Sequence, residues 1–170
     1  GESTVDDTLS LDNGADVSGG AIAHVEALTL SSGASVRLSA AQNQGFTGTV
    51  IAPGTGVNGE DITIVGDGAM TTLAQVENYV IDDDSSNTRT VTISSADTNV
   101  TAPSSTDAVT FIVGALTYTG AITGESTVDD TLSLDNGADI SGGAISNVEA
   151  LTLSSGASVR LSAVQNQGFT

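Results

Sequence analysis

Residues 1–47 of this chain recur as residues 124–170, an offset of 123, with 43 of 47 positions identical. The four exceptions are Val17/Ile140, Ala23/Ser146, His24/Asn147 and Ala41/Val164, all mild. Whatever the first stretch builds, the second must be able to build again next to it, which limits the chain to architectures that tolerate repetition. The sequence therefore reads as one complete unit, 1–123, followed by the start of the next, 124–170. Near-identity implies a recent duplication and a longer parent array of the kind a stalk, filament or lattice needs.

A shorter and weaker repeat lies inside the unit. Asp7–Val17 aligns with Glu26–Val36, Asp107–Ala115 fits the same template, and Glu60–Ile64 and Glu77–Ile81 match its first half. The template is an acid, any residue, an apolar residue, usually Ser or Thr, another apolar residue, two variable positions, and often Gly-Ala. Alternating apolar and small polar residues make a short strand with one buried face. A following glycine permits a corner. The starts fall at Asp7, Glu26, Glu60, Glu77, Asp107 and Asp130. Two wider intervals hold further strand-like stretches, 48–52 and 90–94, which read either as extra coils or as outward loops.

A strand type recurring about every 20 residues predicts an all-β chain folded as a parallel β-solenoid of short coils, each burying its apolar face against its neighbours. Five to seven coils at about 4.8 Å each would make a unit roughly 25–35 Å long. The alternative is tandem immunoglobulin-like β-sandwiches, since ten or so short strands suit such a domain. It leaves the shared template unexplained. One local helix is expected, Ser39–Gly45, with a capping serine and a terminating glycine.

Composition then narrows function. The chain has no lysine, three arginines (Arg37, Arg89 and Arg160) and 21 acidic residues, for a net charge of −18. Nucleic-acid binding needs a basic face to displace counterions, so it is excluded as a main activity. The same charge disfavours anionic lipid surfaces and favours a divalent cation as partner. No apolar run approaches the roughly 18 residues of a membrane span, so no membrane insertion is expected. Cysteine is absent, so disulfides play no part. The chain starts in mid-pattern and reads as an excised segment.

Catalysis is hard to assemble from these residues. The only histidine, His24, is replaced by Asn147 in the second copy, which suits a turn or surface role better than a catalytic base. Paired carboxylates could cleave polysaccharides, but aromatic platforms and basic side chains for sugars are nearly lacking. No enzyme is expected. Calcium is the stronger expectation, because hard oxygen ligands cluster on turns after strands. The candidate ligands are Asp12, Asn13 and Asp16, then Asp82, Asp83 and Asp84, then Asp135, Asn136 and Asp139. Asp and Asn in turns also hydrogen-bond their own backbone, which would explain them without a metal.

Several phrases resemble those of giant repetitive bacterial surface proteins exported by type I secretion, of adhesin or surface-layer type. They are Val25–Leu30 with its copy Val148–Leu153, Ala34–Ser39, and Gln42–Gly48. The resemblance covers most of the unit. It implies an extracellular, calcium-dependent array at a bacterial cell surface, working in adhesion, biofilm or a protective coat. The nonapeptide calcium motif of that group is absent here. The expected function is thus a structural repeat module of an adhesin stalk or extracellular filament, giving reach and stiffness. The alternatives are a self-assembling surface-layer or sheath subunit and, last, a polysaccharide-processing β-helix enzyme. The expected partners are neighbouring repeats of the same chain, with homotypic self-association open.

Overall fold

A computed structural model of the chain describes residues 7–54, 59–82, 89–102 and 107–169. Fourteen strands and two one-turn helices follow in order: β1 (Thr8–Leu11), β2 (Ala27–Leu30), β3 (Ser35–Ser39), α1 (Ala40–Gly45), β4 (Val50–Ile51), β5 (Asp61–Val65), β6 (Met70–Thr71), β7 (Asn78–Asp82), β8 (Arg89–Ile93), β9 (Asn99–Thr101), β10 (Val109–Val113), β11 (Ala121–Thr123), β12 (Thr131–Leu134), β13 (Ala144–Ser146), β14 (Ala150–Leu153) and α2 (Ala163–Gly168). Every strand pairing among them is parallel. Immunoglobulin-like sandwiches are built from antiparallel sheets. The chain is therefore a parallel β-solenoid.

The coil has three faces. Face one carries β1-β2-β4 and continues as irregular backbone. There Ser94 N–H donates to the Thr72 hydroxyl, Thr119 N–H donates to the Ala96 carbonyl, and Thr117, Asp139 and Arg160 are bridged in a row. Face two carries β3-β5-β7-β9-β11-β13, extended downward by a bridge from Arg37 to Asp16 and covered above by α2. Face three carries β6-β8-β10-β12-β14, with α1 packed under β6. The chain passes the faces in that order, coil after coil, with offsets between paired residues from 17 (Asp61 to Asn78) to 26 (Ser35 to Asp61).

Register puts like on like. Val36, Ile62, Tyr79, Val100 and Ile122 stack along face two, and Val91, Phe111 and Leu132 along face three. All of these are essentially inaccessible to solvent. Each fully buried branched side chain contributes about 1.5–3 kcal/mol, so the apolar columns supply the cohesion that a single coil lacks. The stack crosses the repeat boundary without a break: Thr110 to Val113 of the first unit pair residue by residue with Thr131 to Leu134 of the second.

Two details differ from the sequence expectation. The template strands do not form one series, because β1 and β2 lie on face one, β5 and β7 on face two, and β10, β12 and β14 on face three. The stretches 48–52 and 90–94 are part of the stack, as β4 and β8. The short helix is where its cap placed it. Ser39 accepts from Gln42 N–H while the Gln42 side chain accepts from Ser39 N–H, a capping box repeated by Ser162 and Gln165.

Candidate functional site

Asp12, Asn13, Asp135 and Asn136 lie in turns between faces, whereas Asp16, Asp139 and Asp82 sit on the faces in bridges or a strand, and at least one oxygen of each described candidate already has a protein donor. Asp12 accepts from the Ser31 hydroxyl and Asp135 from the Ser154 hydroxyl one coil above. Asn13 Oδ1 accepts from Ser35 N–H at 3.0 Å, and Asn136 Oδ1 from Ser158 N–H at 2.9 Å. Asp16 takes the N–H and hydroxyl of Ser18, which hold its carboxyl below the usual value, and Asp139 is served likewise by Ser141. Arg37 reaches both Asp16, at 3.5 Å, and Asp82, at 2.6 Å. Among the described residues, no three acidic or histidine side chains gather so as to hold a metal ion. Asp83 and Asp84 lie outside the described residues.

The acids that open the template strands have a clearer task. Five of them reach down to a backbone N–H on the coil below. Glu26 accepts from Asp7 N–H at 3.2 Å, Glu149 from Asp130 N–H at 3.0 Å, and Asp130 from Val109 N–H at 2.6 Å. Glu60 accepts from Gly33 N–H at 3.2 Å, and Glu77 from the N–H of Glu60. The donors sit where the chain turns into a strand, at or just before its first residue, and a buried N–H there needs a partner. A second donor closes two of these carboxylates: Gly54 N–H on Glu60 at 2.7 Å and Glu125 N–H on Asp130 at 2.7 Å. Sequence reading found the acid in the template without its reason, which becomes visible only when the coil below is in place.

One pair stands apart. Glu60 is fully buried, and its Oε2 has no hydrogen-bond partner. The Oε2 of Glu77, on the next coil, is shut off from solvent and also lacks one. Burial raises the Glu77 carboxyl above its usual value, and the neighbouring Glu60 carboxyl raises it further. Burial and the neighbouring carboxylate thus both favour the protonated form of Glu77.

Two other buried side chains, Tyr79 and Arg89, tie neighbouring coils together. Tyr79 accepts from Leu73 N–H and donates to Asn43 Oδ1, while Asn43 donates to the Thr71 carbonyl, tying α1 to the coil above. The Arg89 guanidinium, fully buried, donates to the carbonyls of Ile64 and Gly66. His24 and Asn147 both adopt the left-handed backbone, φ 55° and 51°. Asn and His are the residues that share that region with Asp and Gly, so the exchange between copies follows from the turn.

Two grooves open on the surface. One of about 430 Å³ lies on face one between Thr49-Val50 and Thr72–Gln75. Another of about 310 Å³ lies under α2 beside Ile145 and Phe169. Neither gathers a charged side chain. No helix among the described residues is long and apolar enough to cross a membrane. Compared with family models, with curated proteins and with solved structures, the chain matches none.

Proposed function

We propose that the chain is a structural repeat module of a bacterial adhesin stalk or extracellular filament, contributing reach and stiffness and turning over no substrate. The supporting observation is the in-register pairing of β10 with β12, which carries one sheet through the join between units. A join of that kind transmits load through a continuous backbone ladder instead of a linker. Placement outside the cell, and the adhesin or surface-layer character, come from the resemblance of the quoted phrases. Calcium bracing belongs to the same proposal and awaits its own melting experiment.

The reading is tested by contour length. Tandem arrays of two, four and eight units, imaged by atomic force microscopy, should lengthen by about 27 Å per unit, from somewhat under six coils at ~4.8 Å each. Beads separated by flexible joints, or a particle that grows in all directions, would overturn it.

A further inference from the structure

The two copies of the duplicated segment do not occupy the same faces. β1 lies on face one, whereas its duplicate β12 lies on face three. Arg37 lies on face two within β3, whereas its duplicate Arg160 is bridged into the row Thr117–Asp139–Arg160 on face one. α1 sits under β6 on face three: Asn43 and Gln44 donate to the Thr71 and Ala69 carbonyls at 2.8 and 3.0 Å. α2 instead lies against β13 on face two, where Gln165 donates to the Ile140 and Gly143 carbonyls. All three landmarks move back by one face. The cause is the coil count: from β1 to β12 the chain makes five full coils and then only two further faces.

We propose that successive units of this repeat are set one third of a turn apart about the stack axis. An identical surface patch then points in three directions in rotation and returns to the first after three units. The inference deepens the stalk reading and rests on it for any array, but the phase itself is a property of this chain alone. It bears on the choice between stalk and lattice. A flat sheet joined through one patch per unit needs that patch to face the same neighbour every time. Here two of every three would point out of the sheet. A free-standing rod has no such requirement. It presents each patch, such as the exposed Arg160–Asp139 ion pair at 3.3 Å, to all sides along its length.

The phase is measurable by distance between spin labels in the full chain, which has no cysteine of its own to interfere. Ser32, Thr47 and Ser155 are all exposed in turns. Ser32 follows β2, at the corner of faces one and two. Its duplicate Ser155 follows β14, at the corner of faces three and one, which Thr47 shares. Cysteine pairs S32C/S155C and T47C/S155C are labelled in turn. With about 4.8 Å per coil and corners ~17 Å apart, from five residues at ~3.3 Å, the first pair should read about 32 Å and the second about 24 Å. An unrotated repeat reverses the order: duplicates would share a corner about 27 Å apart, and the Thr47 pair would be the longer. That reversal overturns the proposal whatever the array experiment gives. A second duplicate pair, A41C/V164C on the exposed faces of the two helices, repeats the measurement at sites whose native side chains make no hydrogen bond. It should exceed the axial ~27 Å. Unchanged circular dichroism confirms that the labelled chains are folded.

Discussion

Two acids built from the same sequence template, Asp130 and Glu60, end in opposite circumstances. On face three, Asp130 is fully buried yet fully served, with Val109 N–H on one oxygen and Glu125 N–H on the other. On face two, Glu60 has two donors on Oε1 and none on Oε2, and Glu77 on the next coil also carries an unserved Oε2. Burial raises the Asp130 and Glu77 carboxyls alike. Asp130 has a backbone donor for each oxygen, whereas burial and the neighbouring Glu60 carboxyl push Glu77 towards its protonated form. A carboxylate in a solenoid interior is thus neutral scaffolding or a pH-sensitive strain according to how many N–H groups the coil below supplies.

The largest expected effect comes from removing the served acid. Asp130→Ala leaves the Val109 and Glu125 N–H groups without acceptors, at about 1–3 kcal/mol each, so urea unfolding should show a loss on the order of 2–6 kcal/mol. A loss under about 0.5 kcal/mol would mean that water replaces the carboxylate and that Asp130 does little. Next comes the Glu60–Glu77 pair. Glu77→Gln gives Glu60 Oε2 an amide donor and should raise stability at pH 7 by about 1 kcal/mol, one buried hydrogen bond. Glu149→Gln, next to the served acid, should give no gain. If the two substitutions act alike, the two sites are equivalent and the comparison fails.

The pH dependence follows in size. The folded-state pKa of Glu77 lies above its unfolded value, as does that of Asp130. Their contribution is fully present below the unfolded values, 4.5 for Glu77 and 3.8 for Asp130, and is lost as pH rises through the raised folded values. The melting temperature should therefore climb as pH falls from 7 towards 5, helped by relief of the −18 charge. Glu77→Gln should flatten that slope, and a slope that the substitution leaves intact would place the titration elsewhere. The smallest effect is calcium. If the turns bind it as proposed, millimolar calcium should raise the melting temperature over chelator, and Asp12→Asn with Asp135→Asn should cancel the rise. No rise at all would remove calcium from the proposal.

Much of this fold could be read from periodicity. Alternation at Asp61–Val65 and Val109–Val113 and the recurrence of the template specify parallel coils, because only stacking buries those faces. The three-sided cross-section was not legible, since Glu60 and Asp107 open similar strands that lie on different faces. Face membership depends on how many residues each corner consumes, and corner length has no apolar period to betray it. The turn acids were legible as clustered oxygens. Their donors were not, because Ser31, Ser35 and Ser158 are 19 to 22 residues away from the oxygens they serve. For the same reason nothing local in the sequence announces the Glu60–Glu77 pair. Sequence places them 17 apart, and only the register Asp61–Asn78 brings them together.

The downward reach of the strand-opening carboxylates gives the stack a chemical direction. In each case a donor belongs to a residue earlier in the chain: Asp7 for Glu26, Gly33 for Glu60, Glu60 for Glu77, Val109 for Asp130, Asp130 for Glu149. A chain that emerges amino end first offers every new carboxylate a waiting N–H, so growth can proceed one coil at a time with nothing left over. Peeling coils from the carboxyl end likewise leaves the remaining carboxylates satisfied. Peeling from the amino end strips the lower N–H from each of these carboxylates, leaving only Glu60 and Asp130 a second donor, from Gly54 and Glu125. The rod is consequently a one-way zipper, easy to close and to fray from its carboxyl end and guarded at the other.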